Sequence, residues 1–222
     1  MMGREVAMIP ARLGSQRLKK KNLELFGNVS LIEYAIQRCL SAGVFDEIYV
    51  NSESLVFKEF SERLGVSFYQ RPEILGDSES TSEDFIADFF DKEGPDTIYQ
   101  IHSITPLLSA DSIKEFVEFC RKNTQYQTVF SCIHDQIEVA YEGVPVNFTV
   151  SEKTNSQELR PTQRITWSAT KWSRLAFMEA RASGKVGTYS GQIGYFEVAP
   201  FSGLAIKTID DLNIARALRE LV

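Results

Sequence analysis

The chain has 222 residues, 43% of them hydrophobic and 24% charged, with 24 Lys and Arg against 30 Asp and Glu and a formal net charge of −6. That length suits one sizeable α/β domain, and the acidic balance argues against general nucleic-acid binding, which needs a basic face. No run approaches the roughly 18 apolar residues of a bilayer span, and Met1 to Arg12 lacks a signal-peptide cleavage pattern, so the expected compartment is the cytoplasm and no membrane partner is expected.

In chain order, Glu5 to Ile9 reads as a buried first strand, followed by a polar, basic loop. Leu31 to Ala42 has helical spacing, with Ser30 as cap and Glu33 as capping-box partner. Glu47 to Asn51 is a second strand, Leu55 to Leu64 a helix ended by Gly65, and Val66 to Gln70 a third strand. Ser80 to Phe90 is predicted helical with Ser80 or Thr81 as cap, Thr97 to His102 a strand, Ser112 to Arg121 a helix and Thr128 to Ile133 a strand. This alternation predicts a Rossmann-like, mostly parallel sheet with helices on both faces, and ligands at the carboxyl ends of its strands. Beyond Val139 the pattern changes. Val139 to Val150 reads as a hairpin turning near Gly143 and Pro145, with Phe148 at an exposed edge, and Ser151 to Thr166 as polar and irregular. Lys171 to Ser183 is predicted helical, Gln192 to Val198 and Leu204 to Lys207 as short strands, and Asp210 to Leu221 as a closing helix. Residues 1–222 are thus expected to form one domain, with 139–166 as an excursion.

Chemistry is concentrated after the first strand. Five of the 24 Lys and Arg lie between Arg12 and Lys21, and no acid occurs between Val6 and Leu23. A positive loop at a strand's carboxyl end suits a polyanionic small molecule: Gly14 admits close backbone approach, and Ser15 with main-chain N–H groups can form an anion nest. A solvated charge run is the competing reading. The loop lacks both the Walker pattern G-x-x-x-x-G-K-[ST] and the dinucleotide pattern G-x-G-x-x-G.

The other reactive side chains suggest less. The cysteines, Cys39, Cys120 and Cys132, have no C-x-x-C spacing and lie in apolar runs, as small core residues do. Two histidines, His102 and His134, make no hydrolytic triad by spacing, and Cys132 with His134 reads as a pair of strand neighbours. Trp167 and Trp172 could stack on a base or sugar, or serve as core.

The segment Ile9-Pro10-Ala11-Arg12-Leu13-Gly14-Ser15-Gln16-Arg17-Leu18, continued by Lys21-Asn22, resembles the first motif of the CMP-sialic acid synthetases, and its first ten residues equally that of CMP-Kdo synthetases. Phe45 to Ser52, Gly65-Val66 with Arg71-Pro72-Glu73 and Leu75, and the hydroxyls Ser78, Ser80, Thr81 and Ser82 extend the likeness over roughly the first 120 residues. The resemblance implies transfer of CMP from CTP to an acidic 2-keto-3-deoxy sugar, such as a nonulosonic acid, with release of pyrophosphate. It also implies a nucleotide-diphospho-sugar-transferase type of fold and a homodimer, for which the Val139 to Val150 hairpin with its edge Phe148 is the expected contact. By position, Arg12 and Lys21 are the catalytic cations. Arg12, Gly14, Ser15, Gln16, Lys21, Asn22, Arg71, Ser80 and Thr105 line the nucleotide, with Ser80 as the base-contacting hydroxyl.

Three departures from the family pattern stand out. After strand four, Thr105-Pro106-Leu107 fits, but His102 replaces an amide and Leu108 an arginine. The sugar-contacting R-P-N-G-A is replaced by Ile165-Thr166-Trp167-Ser168-Ala169-Thr170. The late D-x-D that implies Mg2+ falls on Ala205 and Lys207, or, in a shifted register, on Thr208 and Asp210. Asp210 is then the metal candidate, with Lys207 in place of a metal carboxylate; Asp210 and Asp211 also read as first-turn helix acids. Two function classes therefore follow: a cytidylyltransferase, or a relative that binds nucleotide or sugar without turnover. A nucleotidyltransferase for another base or sugar is a third.

Overall fold

Val6 to Ile9 are all fully buried, because the strand they form is covered on both faces. In the computed structural model, which describes residues 3–221 except 16 and 78, this strand is β1 (Glu5–Pro10). A small antiparallel pair not anticipated from the sequence follows, β2 (Leu25–Phe26) with β3 (Val29–Ser30). Then come α1 (Leu31–Ala42), β4 (Glu47–Ser52), α2 (Val56–Leu64), β5 (Ser67–Gln70), α3 (Ser82–Glu93), β6 (Thr97–Ile101), α4 (Ala110–Lys122) and β7 (Thr128–Asp135). The excursion holds β8 (Ala140–Tyr141) and β9 (Val144–Pro145). Last come β10 (Thr162–Ser173), α5 (Arg174–Ala182), β11 (Ile193–Glu197) and α6 (Ile209–Leu218).

Seven strands form one mixed sheet in the order β11-β7-β10-β6-β1-β4-β5. β6, β1, β4 and β5 run parallel, β7 and β11 are parallel to one another, and β10 is antiparallel to both of its neighbours. Side chains alternate across β1. Ala7 and Ile9 pack with α1, α2 and α4, whereas Val6 and Met8 pack with α3 and with Phe177 of α5. Helices thus cover both faces, as the βαβ pattern predicts. A third cluster, containing Phe26, Leu31, Leu107, Ile206, Leu212 and Ala215, docks α6 beside the β2–β3 pair and the end of the basic loop.

Local chemistry sets the boundaries. Ser30 and Glu33 form the expected capping box of α1. For α3 the cap is Thr81 with Asp84, so the helix starts at Ser82. α4 begins at Ala110 under a Ser109 cap. In the hairpin, Glu142 and Gly143 both have positive φ, the pairing a tight primed turn requires.

The stretch from 151 to 183 departs from expectation. Thr162 to Ser173 is a twelve-residue strand, and the helix begins only at Arg174. Thr166, Ser168 and Thr170 are buried, and the hydroxyls of the first two find partners inside. Thr166 Oγ1 lies 2.8 Å from Ser131 Oγ, and Ser168 Oγ donates to the Ser202 carbonyl at 2.7 Å. Lys171 likewise sits in the sheet and donates to the Tyr126 carbonyl at 2.7 Å. A strand covered on both faces carries no alternation. Leu204 to Lys207 is not a strand either; its tie to the core is Ile206 N–H to the Ile104 carbonyl, 2.8 Å.

Candidate nucleotide site

Strands β6, β1 and β4 are neighbours and parallel, so the loops leaving their carboxyl ends converge at one edge of the sheet. The loop after β1 is braced on its protein side. Ala11 N–H donates to the Asn51 carbonyl at 3.0 Å and Leu13 N–H to Glu53 Oε1 at 2.9 Å. Arg71 is the brace beneath. It is 4% exposed, donates to the Ala11 carbonyl at 3.0 Å and to Glu53 Oε2 at 2.8 Å, and stacks 4.9 Å from the Phe85 ring centroid. Asn22 is also buried; its amide donates to the Arg12 carbonyl at 3.0 Å and accepts from Ser103 Oγ at 2.7 Å. Both residues are therefore occupied in shaping the loop, whatever the ligand does.

The remaining loop residues are presented outward. Arg12 is half-buried, with one long bond (3.3 Å) to the Asp77 carbonyl. A Cβ on Gly14 would meet nothing within 4 Å, so no protein contact demands glycine there and the space above it is open. Ser15 is half-buried. Gln16 and Ser78 lie outside the described residues. Ser80 gives its hydroxyl to the Ile74 carbonyl, so a base contact would compete with that bond. Thr105 is buried, and its hydroxyl donates to the His102 carbonyl at 3.1 Å.

Lys21 reaches across instead. Its Nζ donates to the Ile206 carbonyl at 2.9 Å. Burial, and then Arg17 and Arg12, lower its pKa; Asp211 opposes them and Lys207 adds to them. This contact borders a cavity of about 700 Å³ whose lining includes His102, Thr105, Trp167, Phe201, Lys207 and Asp211. His102 is neutral there: burial, with the Lys21 ammonium second, pushes its pKa down to about 4. Gly203 also lines the cavity, and a Cβ on it would come within 2.5 Å of Thr166 Cγ2, so glycine lets this wall close on β10.

The segment at 165–170 builds the opposite wall. A register shift between Ile165 and Thr170 interrupts the β10–β7 ladder, and Trp167 sits within it at positive φ, as irregular strand positions allow. An aromatic residue in the left-handed region is uncommon; here its ring is held edge-on to Phe130 at 5.0 Å and lines the cavity. Trp172 is fully buried core, with Nε1 donating to the Thr188 carbonyl.

Two residues clarify the 102–108 loop. Leu108 is fully buried, so that position faces the core and not a ligand. Arg38 of α1, 4% exposed, donates to the carbonyls of Thr105 (2.9 Å), Leu108 (2.5 Å) and His102 (3.3 Å). The sequence signal for it was a cation on the apolar face of an amphipathic helix, where a charge needs dedicated partners. Cys132 and His134 do not form a reactive pair: burial pushes the Cys132 thiol up to about 11, and His134 Nδ1 faces Glu197 at 3.1 Å.

The metal candidate is not supported by its surroundings. Asp210 is exposed and is not among the residues lining the cavity. One position on, Asp211 does line it, but its Oδ2 accepts from Lys207 N–H (2.8 Å), Thr208 N–H (2.8 Å) and Thr208 Oγ1 (2.9 Å) as the capping-box acid of α6. The turn of about 100° per residue that points Asp211 at its cap points Asp210 elsewhere. Ala205 offers no ligand atom, and Lys207 cannot coordinate a cation. Among the described residues no three His, Cys, Asp or Glu side chains are grouped to hold a metal. The cavity lining thus offers magnesium a single carboxylate among the described residues, Asp211, whose Oδ2 is already spent on three donors, which fits a protein-held magnesium poorly.

A mostly parallel α/β sheet whose cation-bearing first loop is tied to the wall of a cavity is the architecture of a nucleotide-handling α/β protein. The chain belongs to the cytidylyltransferase family, whose profile matches residues 6–203. It is 28% identical over 133 residues to a pseudaminic acid cytidylyltransferase and hydrolase of Helicobacter pylori, covering 58% of this chain and 26% of that one. It is 26% identical over 222 residues to an N-acylneuraminate cytidylyltransferase of Oncorhynchus mykiss, covering 96% of this chain and 50% of that one. The chain thus spans half or less of these relatives' lengths. Its fold is similar to that of a CMP:2-keto-3-deoxy-manno-octonic acid synthetase complexed with CTP, with TM-score 0.73, 17% identity and 98% and 99% of the two chains covered. The fold of 4-diphosphocytidyl-2C-methyl-D-erythritol synthase from Anaerococcus prevotii is also similar, with TM-score 0.70, 14% identity and 98% and 99% coverage. The family match ends before Ala205 and Lys207. No described helix is long and apolar enough to cross a membrane.

Proposed function

We propose that the protein transfers CMP from CTP to an acidic 2-keto-3-deoxy sugar of the nonulosonic or Kdo-like kind. The observation that carries this reading is the Lys21–Ile206 contact, which ties the basic loop to a segment whose flanking residues, Ala205 and Lys207, line the cavity. The sugar hydroxyl attacks the α-phosphorus and the bond to the bridging oxygen breaks. Pyrophosphate departs with the electron pair, and the hydroxyl proton passes to solvent. Such a step asks for positioning and charge neutralisation more than covalent chemistry. Arg12 and Lys21 meet the triphosphate, Gly14 and Ser15 offer main-chain N–H groups to it, and the aromatic wall at Trp167 faces the acceptor. The cytoplasm is the proposed compartment. The hairpin, with Tyr141 and Val144 both exposed, is the proposed contact with a second copy, giving a homodimer.

The test is a thermal-shift titration with CTP, UTP, ATP and GTP, followed by pyrophosphate release on adding sialic acid, pseudaminic acid or Kdo. A ligand at 100 times its dissociation constant stabilises by about 2.7 kcal/mol, an easily read shift. A CTP-selective shift with pyrophosphate release supports the reading; no shift with any nucleotide refutes it. A second reading, a binder without turnover, is favoured by Ala205 and Lys207 on the cavity, and CTP binding without pyrophosphate release from any acid would establish it.

A further inference from the structure

We infer that Lys207, beside Lys21, supplies to a bound triphosphate the positive charge that a carboxylate-held magnesium would otherwise bring, so that nucleotide binding here needs no protein-held divalent ion. The inference rests on the nucleotide-site reading above.

Three observations carry it. Ile206 is anchored: its side chain is fully buried, its N–H is tied to the Ile104 carbonyl at 2.8 Å, and its own carbonyl takes the Lys21 ammonium at 2.9 Å. The residues on either side of this anchor, Ala205 and Lys207, both line the cavity. The segment therefore delivers a methyl group and an ammonium to the cavity, with a second ammonium docked between them.

The charges are also available. Among the described residues neither Lys21 nor Lys207 has a carboxylate within ion-pair distance, whereas Arg164, which also lines the cavity, is held 2.5 Å from Asp135. Asp211, the acid on this wall, spends Oδ2 on two donors of its capping box, Thr208 N–H and Oγ1, and on the Lys207 N–H. Lastly, burial first, and then Arg17, Arg12 and Lys207, push the Lys21 pKa down while Asp211 opposes them; the part due to the cations is a repulsion that a polyanion between them relieves. An ammonium donates up to three hydrogen bonds to phosphate oxygens and coordinates nothing. Magnesium by contrast asks for one or two carboxylates beside the phosphates.

The experiment is calorimetric titration of CTP into the full chain, once with excess EDTA and once with excess magnesium, for wild type, Lys207→Ala and Lys207→Asp. Circular dichroism serves as a folding check, since Lys207 is exposed. Wild type should bind CTP equally well in both buffers. Lys207→Ala should lose about tenfold or more in EDTA, the loss of one charge-assisted contact. Lys207→Asp should bind poorly in EDTA and recover with magnesium, a switch that a purely structural lysine would not produce. Wild-type binding that requires magnesium, or a Lys207→Ala protein that binds as wild type in EDTA, overturns the inference while leaving the nucleotide reading intact. Absence of CTP binding in both buffers overturns both.

Discussion

Lys21 Nζ donates to the carbonyl oxygen of Ile206 at 2.9 Å, across 185 positions of the chain. One hydrogen bond therefore joins the basic loop that leaves the first strand to the segment that precedes the closing helix. Everything between them, every sheet strand after β1 included, is the scaffold that makes this meeting possible. Lys21, proposed above as a triphosphate contact, is thus also a structural tie, whereas Arg12 makes one long bond, to the Asp77 carbonyl.

That difference predicts how two lysine- and arginine-deleted proteins behave. Lys21→Ala should lose about 1 kcal/mol of stability, the net worth of one hydrogen bond, and so about 2–4 °C of Tm for a chain of this size. Arg12→Ala, whose single 3.3 Å bond is long, should melt as wild type does. Both should weaken CTP binding about tenfold or more. Differential scanning fluorimetry with and without CTP separates the two effects, and full CTP binding by either variant would reduce the loop to a solvated charge run.

Arg38 holds three carbonyls of the 102–108 loop from inside the core. Arg38→Met keeps the apolar stem but strands those acceptors, and a buried acceptor without a partner costs about 1–3 kcal/mol. The expected loss is about 3 kcal/mol or more, read as a lowered urea midpoint at unchanged slope. CTP affinity should fall with it, because Thr105 lines the cavity through that loop. A variant as stable as wild type would show the guanidinium to be dispensable.

Asp211 closes the capping box of α6, and Asp211→Ala should lose about 1 kcal/mol as cap variants do. Burial raises its pKa, but the amides of Lys207 and Thr208 and the Thr208 hydroxyl outweigh this and lower it overall. A carboxyl depressed in the folded state contributes its stability above the unfolded pKa, about 3.9, and loses it as pH falls through the folded value. The difference between wild type and Asp211→Ala should therefore be full at neutral pH and shrink below about pH 4. Urea melts at pH 7 and pH 3 read both ends, and a difference that grows on acidification would contradict the assignment.

Trp167 is half-exposed on the cavity and Trp172 is buried. An acidic sugar binding beside Trp167 should quench or shift the emission of wild type and leave that of Trp167→Phe unchanged. The KM for the acceptor should rise in the variant while that for CTP stays constant. A variant that raises only the CTP KM would move the ring to the nucleotide side.

The three thiols are buried, and burial pushes Cys39 and Cys120 up to about 12 and Cys132 to about 11. Thiolate is the reactive form. The native chain should thus resist a thiol-selective reagent at pH 8 and react at all three cysteines in denaturant. Rapid labelling of Cys132 in the folded chain would reopen it as a nucleophile.

Strand and helix alternation through α4 was legible because each element advertises itself locally: the apolar run of β1, the capping box at Ser30 and Glu33, the glycine after Leu64. The basic loop was legible for the same reason, since charge crowded into ten residues is a local property. β10 was not. Its interior hydroxyls at 166, 168 and 170 look polar along the chain, and those at 166 and 168 are covered by Ser131 of β7 and by the 202–203 segment, so its pattern is written in distant residues. The buried roles of Arg71, Asn22 and Arg38 were hidden likewise, for their partners, backbone carbonyls together with Glu53 and Ser103, come from distant positions that no local pattern marks. Residue types and short-range order are properties of the chain itself. Which cation becomes a brace, which carboxylate is spent on a cap and which lysine is left facing the cavity depend on atoms brought together from distant positions, and only the folded structure decided those.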